Sequence, residues 1–259
     1  MTDVLAELVA RLPDGVAFAR ALGRPAQRAG RATGRGTPCG WGATAAVPWC
    51  AAGFRHDAGD PDRKLDRHTG CVYPQDAASM LPAALLAPAS GAVVVDACAA
   101  PGSKTTQICA MVGDDGVVIA CERDPGRRRT LMENLARLGC ANAIIAATGV
   151  EPLAKRFPGI ADAVLVDAPC SGHRIVSAHA SERMARQQLQ ILRAARKLLR
   201  PGGRLVYSTC TPWRGEDEDV AAAFLGEGGI AVAAARLPDV DPDLDGLGGC
   251  RRSEERRVG

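Results

Sequence analysis

Two cysteines stand where chemistry explains a thiol better than packing does. Cys170 lies in Asp167-Ala168-Pro169-Cys170-Ser171-Gly172, and Cys210 in Ser208-Thr209-Cys210-Thr211-Pro212. Each segment follows an apolar run that reads as a β-strand, so both thiols are expected just past the carboxyl ends of strands, the edge where open α/β sheets bind their ligands. A cysteine kept for packing belongs inside a strand or helix, as Cys109 does. In a turn, a thiol with an ordinary pKa of about 8.5 becomes a nucleophile once its neighbours favour the thiolate. Asp167, three residues before Cys170, puts a carboxylate at the same edge. Taken singly, each cysteine is also compatible with a packing role; the pair with its acid points to a reactive site.

A second constellation is the turn after the first strand of the same pattern, running from Asp96 to Thr106 through Ala97, Cys98, Ala99, Ala100, Pro101, Gly102, Ser103 and Lys104. Its small residues let the backbone approach a ligand closely, and a helix opening near Ser103 would aim its free N–H groups at it. The turn is neither GxGxxG nor GxxxxGK[ST], which disfavours a dinucleotide or a nucleoside triphosphate. Glu122 ends the next strand, where a carboxylate can accept both hydroxyls of a ribose. The pattern suits a nucleoside cofactor such as S-adenosyl-L-methionine, the alternative being a structural turn followed by a surface acid.

The elements that must hold these groups are an alternation of apolar strands and amphipathic helices from Ala92 onward. Strands are expected at 92–97, 117–121, 143–147, 163–168, 204–209 and, more weakly, 230–235; helices at 103–112, 125–138, 181–199 and 216–225. The helix at 181–199 opens at a possible N-cap, Ser181, and stops at Pro201-Gly202-Gly203. This is an α/β domain with a doubly wound, mostly parallel Rossmann-like sheet, expected over 91–238. Ahead of it, residues 37–90 read as a small irregular lobe ending in an apolar helix near Gln75–Leu86. Residues 1–36 read as a short helix and a basic arm with Arg20, Arg24, Arg28, Arg31 and Arg35, either solvated or in contact with nucleic acid.

Composition narrows the class. The 259 residues are 47% hydrophobic and 24% charged, with mean hydropathy near zero, as expected for a soluble globular chain. No apolar run reaches the roughly 18 residues of a membrane span, and the N-terminus lacks the apolar core of a secretory signal, so a cytoplasmic protein is expected. The ten cysteines form no CxxC pair, and His173 and His179 have no metal-ligand spacing; reduced thiols and no metal are expected. The net charge of +3 decides nothing, although Arg supplies all but four of the 32 basic residues. Only nine residues are aromatic, so any nucleic-acid affinity would rest on Arg and phosphate rather than on a stacking platform. Tyr73 and Trp213 are the aromatics nearest the expected site.

AAPGSKT (99–105), DAPCSG (167–172), KLLRPGGRLVYSTCT (197–211) and the acids Glu216, Asp217 and Glu218 resemble the Sun-type (RsmB/RsmF-like) S-adenosylmethionine-dependent RNA cytosine-5 methyltransferases. PWC (48–50), Gly53-Phe54 and YPQDAASMLPA (73–83) resemble the lobe that precedes the catalytic domain in that family. The resemblance spans about 45–225. It implies methyl transfer from S-adenosyl-L-methionine to C5 of a cytidine in structured rRNA or tRNA, with the base unpaired or flipped out. It makes Cys210 the nucleophile that adds to C6, with a pKa lowered by the site. Asp167 would hold the N3/N4 edge of the base, and Cys170 would assist release of the covalent product. Cys98 to Lys104, Glu122 and Asp167 become cofactor contacts, with Lys104 placed to be shared with the target base and Arg127 at a further basic position. A monomer is expected.

The chain departs from the family in three places. Thr148 and Gly149 stand where the third strand usually ends in an adenine-binding Asp. After Gly172 the chain runs HRIVSAHASERM straight into the next helix, shorter than the usual substrate loop. The segment 239–259 reads as an irregular tail, and Arg252–Gly259 can be encoded by a common sequencing adapter; these last residues are expected to be artefactual and the sheet to lack its last strand. A protein of the same fold that binds RNA without turnover is the competing reading. A DNA cytosine methyltransferase, with Cys170 as nucleophile, is a third, disfavoured by the STCT segment.

Overall fold

The computed structural model describes residues 28–36, 41–57, 65–172, 178–211 and 213–231. Four short strands come first: β1 (Ala29–Ala32), β2 (Ala43–Val47), β3 (Cys50–His56) and, after the single-turn α1 (Leu65–His68), β4 (Val72–Pro74). They form an antiparallel sheet in the order β2-β3-β1-β4. The lobe expected to be irregular is therefore sheet, and it incorporates residues expected in the basic arm. Glycine at 53 lets its neighbours approach closely: a Cβ there would lie 2.7 Å from Met80 Sδ and 2.9 Å from Val47 Cβ.

The apolar helix α2 (Ala77–Leu86) joins the lobe to the second sheet, packing on β3 and also on helix α3 (Ser103–Val112) and on two strands of that sheet. Trp49 donates its indole N–H to Ala77 O at 2.8 Å, and Gln107 of α3 donates to Met80 O at 2.9 Å. Arg31 is 2% exposed, with Nε on Gln75 Oε1 at 3.0 Å and Nη2 on Thr106 Oγ1 at 2.7 Å. It is a buried tie between lobe and catalytic domain, not part of a solvated arm.

The second sheet is parallel, from β5 (Val93–Asp96), β6 (Val117–Cys121), β7 (Ala143–Ala146), β8 (Ala161–Asp167) and β9 (Leu199–Ser208), in the order β7-β6-β5-β8-β9. Winding proceeds outward from β5 to β7 and then restarts on the other side at β8, which leaves the ligand crevice of a doubly wound sheet at the carboxyl ends of β5 and β8. Side chains alternate between two buried layers. Val94, Val118, Ala120 and Leu165 face α2, α3 and α4 (Pro125–Leu138). Val95, Cys121, Val164 and Val166 face α5 (Val150–Arg156), α6 (Ala178–Leu198) and α7 (Glu218–Gly226). Burial on both faces is why these strands read as continuous apolar runs.

Observed strands lie within a few residues of expectation except β9, which starts five residues early. There Pro201-Gly202-Gly203 bulges from the ladder: the register passes from Ala161↔Leu199 to Ala163↔Arg204. Helix α5 has no counterpart among the expected helices; it is seven residues long, with a proline in its first turn. The candidate strand 230–235 falls largely outside the described residues, as do the N-terminal helix, most of the basic arm, His173 and the tail; of His179 only the helical backbone is described.

Candidate active site

The loop after β5 is held from three sides. Ala99 donates its N–H to Cys121 O at 3.0 Å, which lays the loop across the end of β6. Gly102 caps α3 at φ 109°, and a Cβ there would meet Leu131 of α4 at 2.9 Å, so glycine is required both by conformation and by the helix behind it. Asn134 donates to Pro101 O at 2.8 Å and Arg127 to Ala100 O at 2.7 Å. The result is a small hollow lined by Asp96, Cys98, Ala99, Ala100, Pro101, Ser103, Lys104 and Asp167. Of the expected cofactor contacts, those from Cys98 to Lys104 and Asp167 come together there, with Gly102 just behind.

Asp96, which the sequence marks as the start of the turn but not as a ligand contact, lines this hollow. It is 1% exposed, accepts from Thr105 Oγ1 at 2.7 Å and from the Cys98 N–H at 3.3 Å, and is pushed by burial up to about 6. Burial, followed by the charges of Asp96 and Asp167, pushes the Cys98 thiol up, so Cys98 lines the hollow as a neutral group. Glu122 sits at the end of β6 outside that lining. Its Oε1 accepts the Asp124 N–H at 2.9 Å and its Oε2 lies 3.6 Å from Arg127 Nη1, so Arg127 ties this acid to the loop through Ala100. Thr148 and Gly149 carry no acid, but the neighbouring Glu151 folds back: its Oε2 is 2.7 Å from where a Gly149 Cβ would be.

On the other side of the crevice, β8 and β9 pair with Asp167 opposite Ser208. Ser208 Oγ donates to Asp167 Oδ1 at 2.8 Å, and Lys104 Nζ meets Asp167 Oδ2 at 2.7 Å while also donating to Ser79 Oγ at 3.2 Å. Continuing that register past the strand ends brings Cys170 and Cys210, 40 residues apart, to 3.1 Å between sulfurs. Two elements clamp the Cys170 turn. Gln188 of α6, fully buried, donates to Pro169 O at 2.9 Å. Glu216, in a 3-10 turn at Arg214–Glu216 and fully buried, accepts the Ser171 N–H on Oε2 at 2.9 Å. Its Oε1 is buried with no hydrogen-bond partner among the described residues. Gln188 has no signal in the sequence beyond a polar residue on a helix face, and Glu216 is visible only as one of an acidic run.

The electrostatics correct one expectation. The thiol lowered by the site is Cys170, to about 6, through its hydrogen bond with Cys210 and the backbone N–H groups of Cys210 and Gly172 that face its sulfur. Cys210 is raised, through that same hydrogen bond, by burial, and by the nearby charges of Cys170 and Asp167. Two thiols in contact titrate as a unit, so one proton leaves readily and the second is retained.

A family model described as 16S rRNA methyltransferase RsmB/F matches residues 83–233, the segment that contains the loop and both cysteines. Ribosomal RNA small subunit methyltransferase F of Salmonella paratyphi A is 38% identical over 225 residues, and that of Salmonella arizonae 39%. In both cases the match covers 80% of this chain and 47% of the relative, so the chain spans about half the length of the curated relatives it matches. Among solved structures, a methyltransferase homologue from Pyrococcus horikoshii superposes with TM-score 0.73 at 28% identity, over 87% of this chain and 83% of that one. NSun6 from the same organism, solved with SFG, gives 0.77 at 20% identity, over 90% and 91%, and shares the fold. With the family model covering more than half of the chain, and its match carrying every group that meets at this crevice, the protein belongs to the RsmB/F family of 16S rRNA methyltransferases.

Proposed function

We propose that this protein transfers a methyl group from S-adenosyl-L-methionine to C5 of a cytidine in structured RNA, rRNA above all, in the cytoplasm. The observation that carries this reading is the meeting of two thiols at 3.1 Å beside the Lys104–Asp167 pair, at the rim of the hollow after β5. The hollow suits the cofactor. It is lined by small residues and two carboxylates, which favours a nucleoside bearing positive charge over a phosphate ester. Cys98 to Lys104 and Asp96 would hold it, with Glu122 toward its ribose. When bound, S-adenosyl-L-methionine supplies an electrophilic methyl group.

C5 of cytosine is a weak nucleophile, so the protein must first add electrons to the ring. Cys210 gives its proton to the Cys170 thiolate while its sulfur bonds to C6, which turns C5–C4 into an enamine. Asp167 faces the N3/N4 edge of the base and relays a proton from solvent to N3 as negative charge arrives there; Lys104, 2.7 Å away, holds the carboxylate. Cys170, only partly buried, returns its proton to solvent. After C5 is methylated, Cys170 takes the C5 proton, the C6–S bond breaks to release the Cys210 thiolate, and N3 gives its proton back through Asp167 to solvent. The base reaches Cys210 only when unpaired or flipped out of its helix.

The test is product identity. Purified protein, S-adenosyl-L-methionine with a labelled methyl group and an unmodified 16S rRNA transcript should yield 5-methylcytidine after nuclease digestion. Label in any other nucleoside overturns the assignment of C5.

A further inference from the structure

Tyr73 of β4 lies between two guanidinium groups. Arg31 of β1 is 5.8 Å from its ring centre and Arg137 of α4 is 5.5 Å away. Arg35 completes the group: its Nη1 lies against Gly139, the cap of α4, and its stem passes Gly70, against which Arg137 O also sits. These arginines come from β1 and the turn after it in the lobe and from a helix of the catalytic domain, so folding itself gathers them at the seam.

Among the described residues, no carboxylate balances them. Arg31 uses Gln75 Oε1, Thr106 Oγ1 and Ser103 O, and Arg137 uses Arg67 O at 2.6 Å and Asn134 Oδ1 at 2.9 Å. All of these acceptors are neutral. Among the described residues, neither Arg31, Arg35 nor Arg137 makes an ion pair, whereas Arg129 on the same helix pairs with Glu133 and Arg127 with Glu122. Burial holds the Arg137 guanidinium below its ordinary range, and the nearby charge of Arg67 adds to this. Like charges collected without an anion cost stability, which an incoming polyanion would offset. The cluster is also wired to the active site. Asn134 contacts the Tyr73 hydroxyl at 3.5 Å and Pro101 O of the cofactor loop at 2.8 Å, and Arg31 reaches the first turn of α3.

We infer that Arg31, Arg35 and Arg137, set around Tyr73, form a phosphate-binding seam that grips the RNA backbone while the target base enters the crevice. Arg35 is exposed and Arg137 half-buried, so these two meet the phosphates. Arg31, stacked behind on the ring, adds its charge and fixes the geometry. The inference rests on the RNA methyltransferase reading above, and it names a surface which that reading does not require.

The experiment measures binding of the full chain to an unmodified 16S rRNA transcript across a salt series, alongside methyl incorporation. Arg35→Gln/Arg137→Gln should weaken binding about tenfold near 0.1 M salt and lower the slope of log K against log[salt] by about 0.7 for each phosphate left without its arginine. Arg129→Gln, which removes a paired arginine, should leave both unchanged. Arg35→Gln alone, at an exposed position, carries the test if the double variant melts early, with a slope change of about half the size. Wild-type affinity and slope in both variants would overturn the seam and leave the proposed function standing. Equal displacement of the RNA by polyglutamate at matched charge would make it a general polyanion site and overturn the assignment to RNA. A wild-type protein that neither binds nor methylates the transcript would fail the enzymatic reading itself, and the seam with it.

Discussion

The turn after β5 and the turns after β8 and β9 stand side by side in one crevice and are built in opposite ways. The first is dry and fully braced: Asp96 is buried on two hydrogen bonds, the Cys98 thiol is held neutral, and four outside groups tie the loop in place. The second is charged and partly open, with Asp167 33% exposed on its side chain, paired to Lys104, and a thiol pair that shares one proton. Nearly the same strand sequence, VVVDA and VLVDA, ends in a fully buried acid in one case and a partly exposed, ion-paired acid in the other. The groups that reach each carboxylate make the difference. Thr105 folds back onto Asp96, whereas Lys104 and Ser208 reach Asp167 from neighbouring elements and leave one side open. In the proposed mechanism, binding and chemistry are thereby separated across the switch point, one half braced and the other placed to move protons.

That separation can be broken deliberately. Asp167→Asn should reduce single-turnover methyl transfer by about 10²- to 10⁴-fold with cofactor affinity nearly retained; a collapse of affinity with the rate intact would move Asp167 into the binding half. Asp96→Asn should act on stability. Its folded pKa of about 6 lies above the unfolded value of 3.8, so the wild-type fold loses stability as pH rises from about 4 to about 6 and stays lower above that. The variant escapes this loss and should gain up to about 3 kcal/mol above pH 6 and nothing below pH 4, as read from denaturant unfolding across pH.

The thiol pair predicts a smaller effect with a distinctive pH profile. Wild-type adduct formation should rise with pH through about 6, where the pair loses its first proton, and level off by neutrality. In Cys170→Ala, Cys210 has no sulfur to take its proton, and the rise should move to the ordinary thiol range near 8.5, which makes the variant about 30-fold slower at pH 7. An unshifted profile would sever the two thiols. Least in size, Glu216→Ala leaves the Ser171 N–H without its acceptor and should cost about 1–2 kcal/mol, while Glu216→Gln, which keeps an acceptor, should lose little; thermal melts of both variants decide it.

Legibility in the sequence tracks the number of faces each element buries. The parallel strands are legible because Val94, Val95, Val164, Leu165 and Val166 all enter a core, leaving unbroken apolar runs. The lobe strands AGRA and ATAAV carry no such run, since their residues are small and those of ATAAV before Val47 are exposed, so their sheet is invisible in the sequence and Arg31 reads there as part of a basic arm, solvated or in contact with nucleic acid. The loop residues and the two cysteines are legible as turns after strands. The meeting of the two sulfurs is not, because it depends on the β8–β9 register and on clamps from Gln188 and Glu216, which lie 18 and 46 residues from Cys170. Which thiol carries the charge is hidden for the same reason: it follows from the hydrogen bond between the two sulfurs, with backbone N–H groups at Cys210 and Gly172 adding to it, and neither leaves a trace in side-chain spacing.

The most direct test of covalent catalysis by Cys210 is a trapping gel. Cys170→Ala protein, S-adenosyl-L-methionine and an unmodified 16S rRNA transcript, incubated at pH 8.5 and denatured, should give a band of protein bound to RNA, because release is blocked after attack. The band should vanish in Cys170→Ala/Cys210→Ala. A band that persists in the double variant, or one that forms in Cys210→Ala with Cys170 intact, would contradict the assignment of Cys210 as the nucleophile.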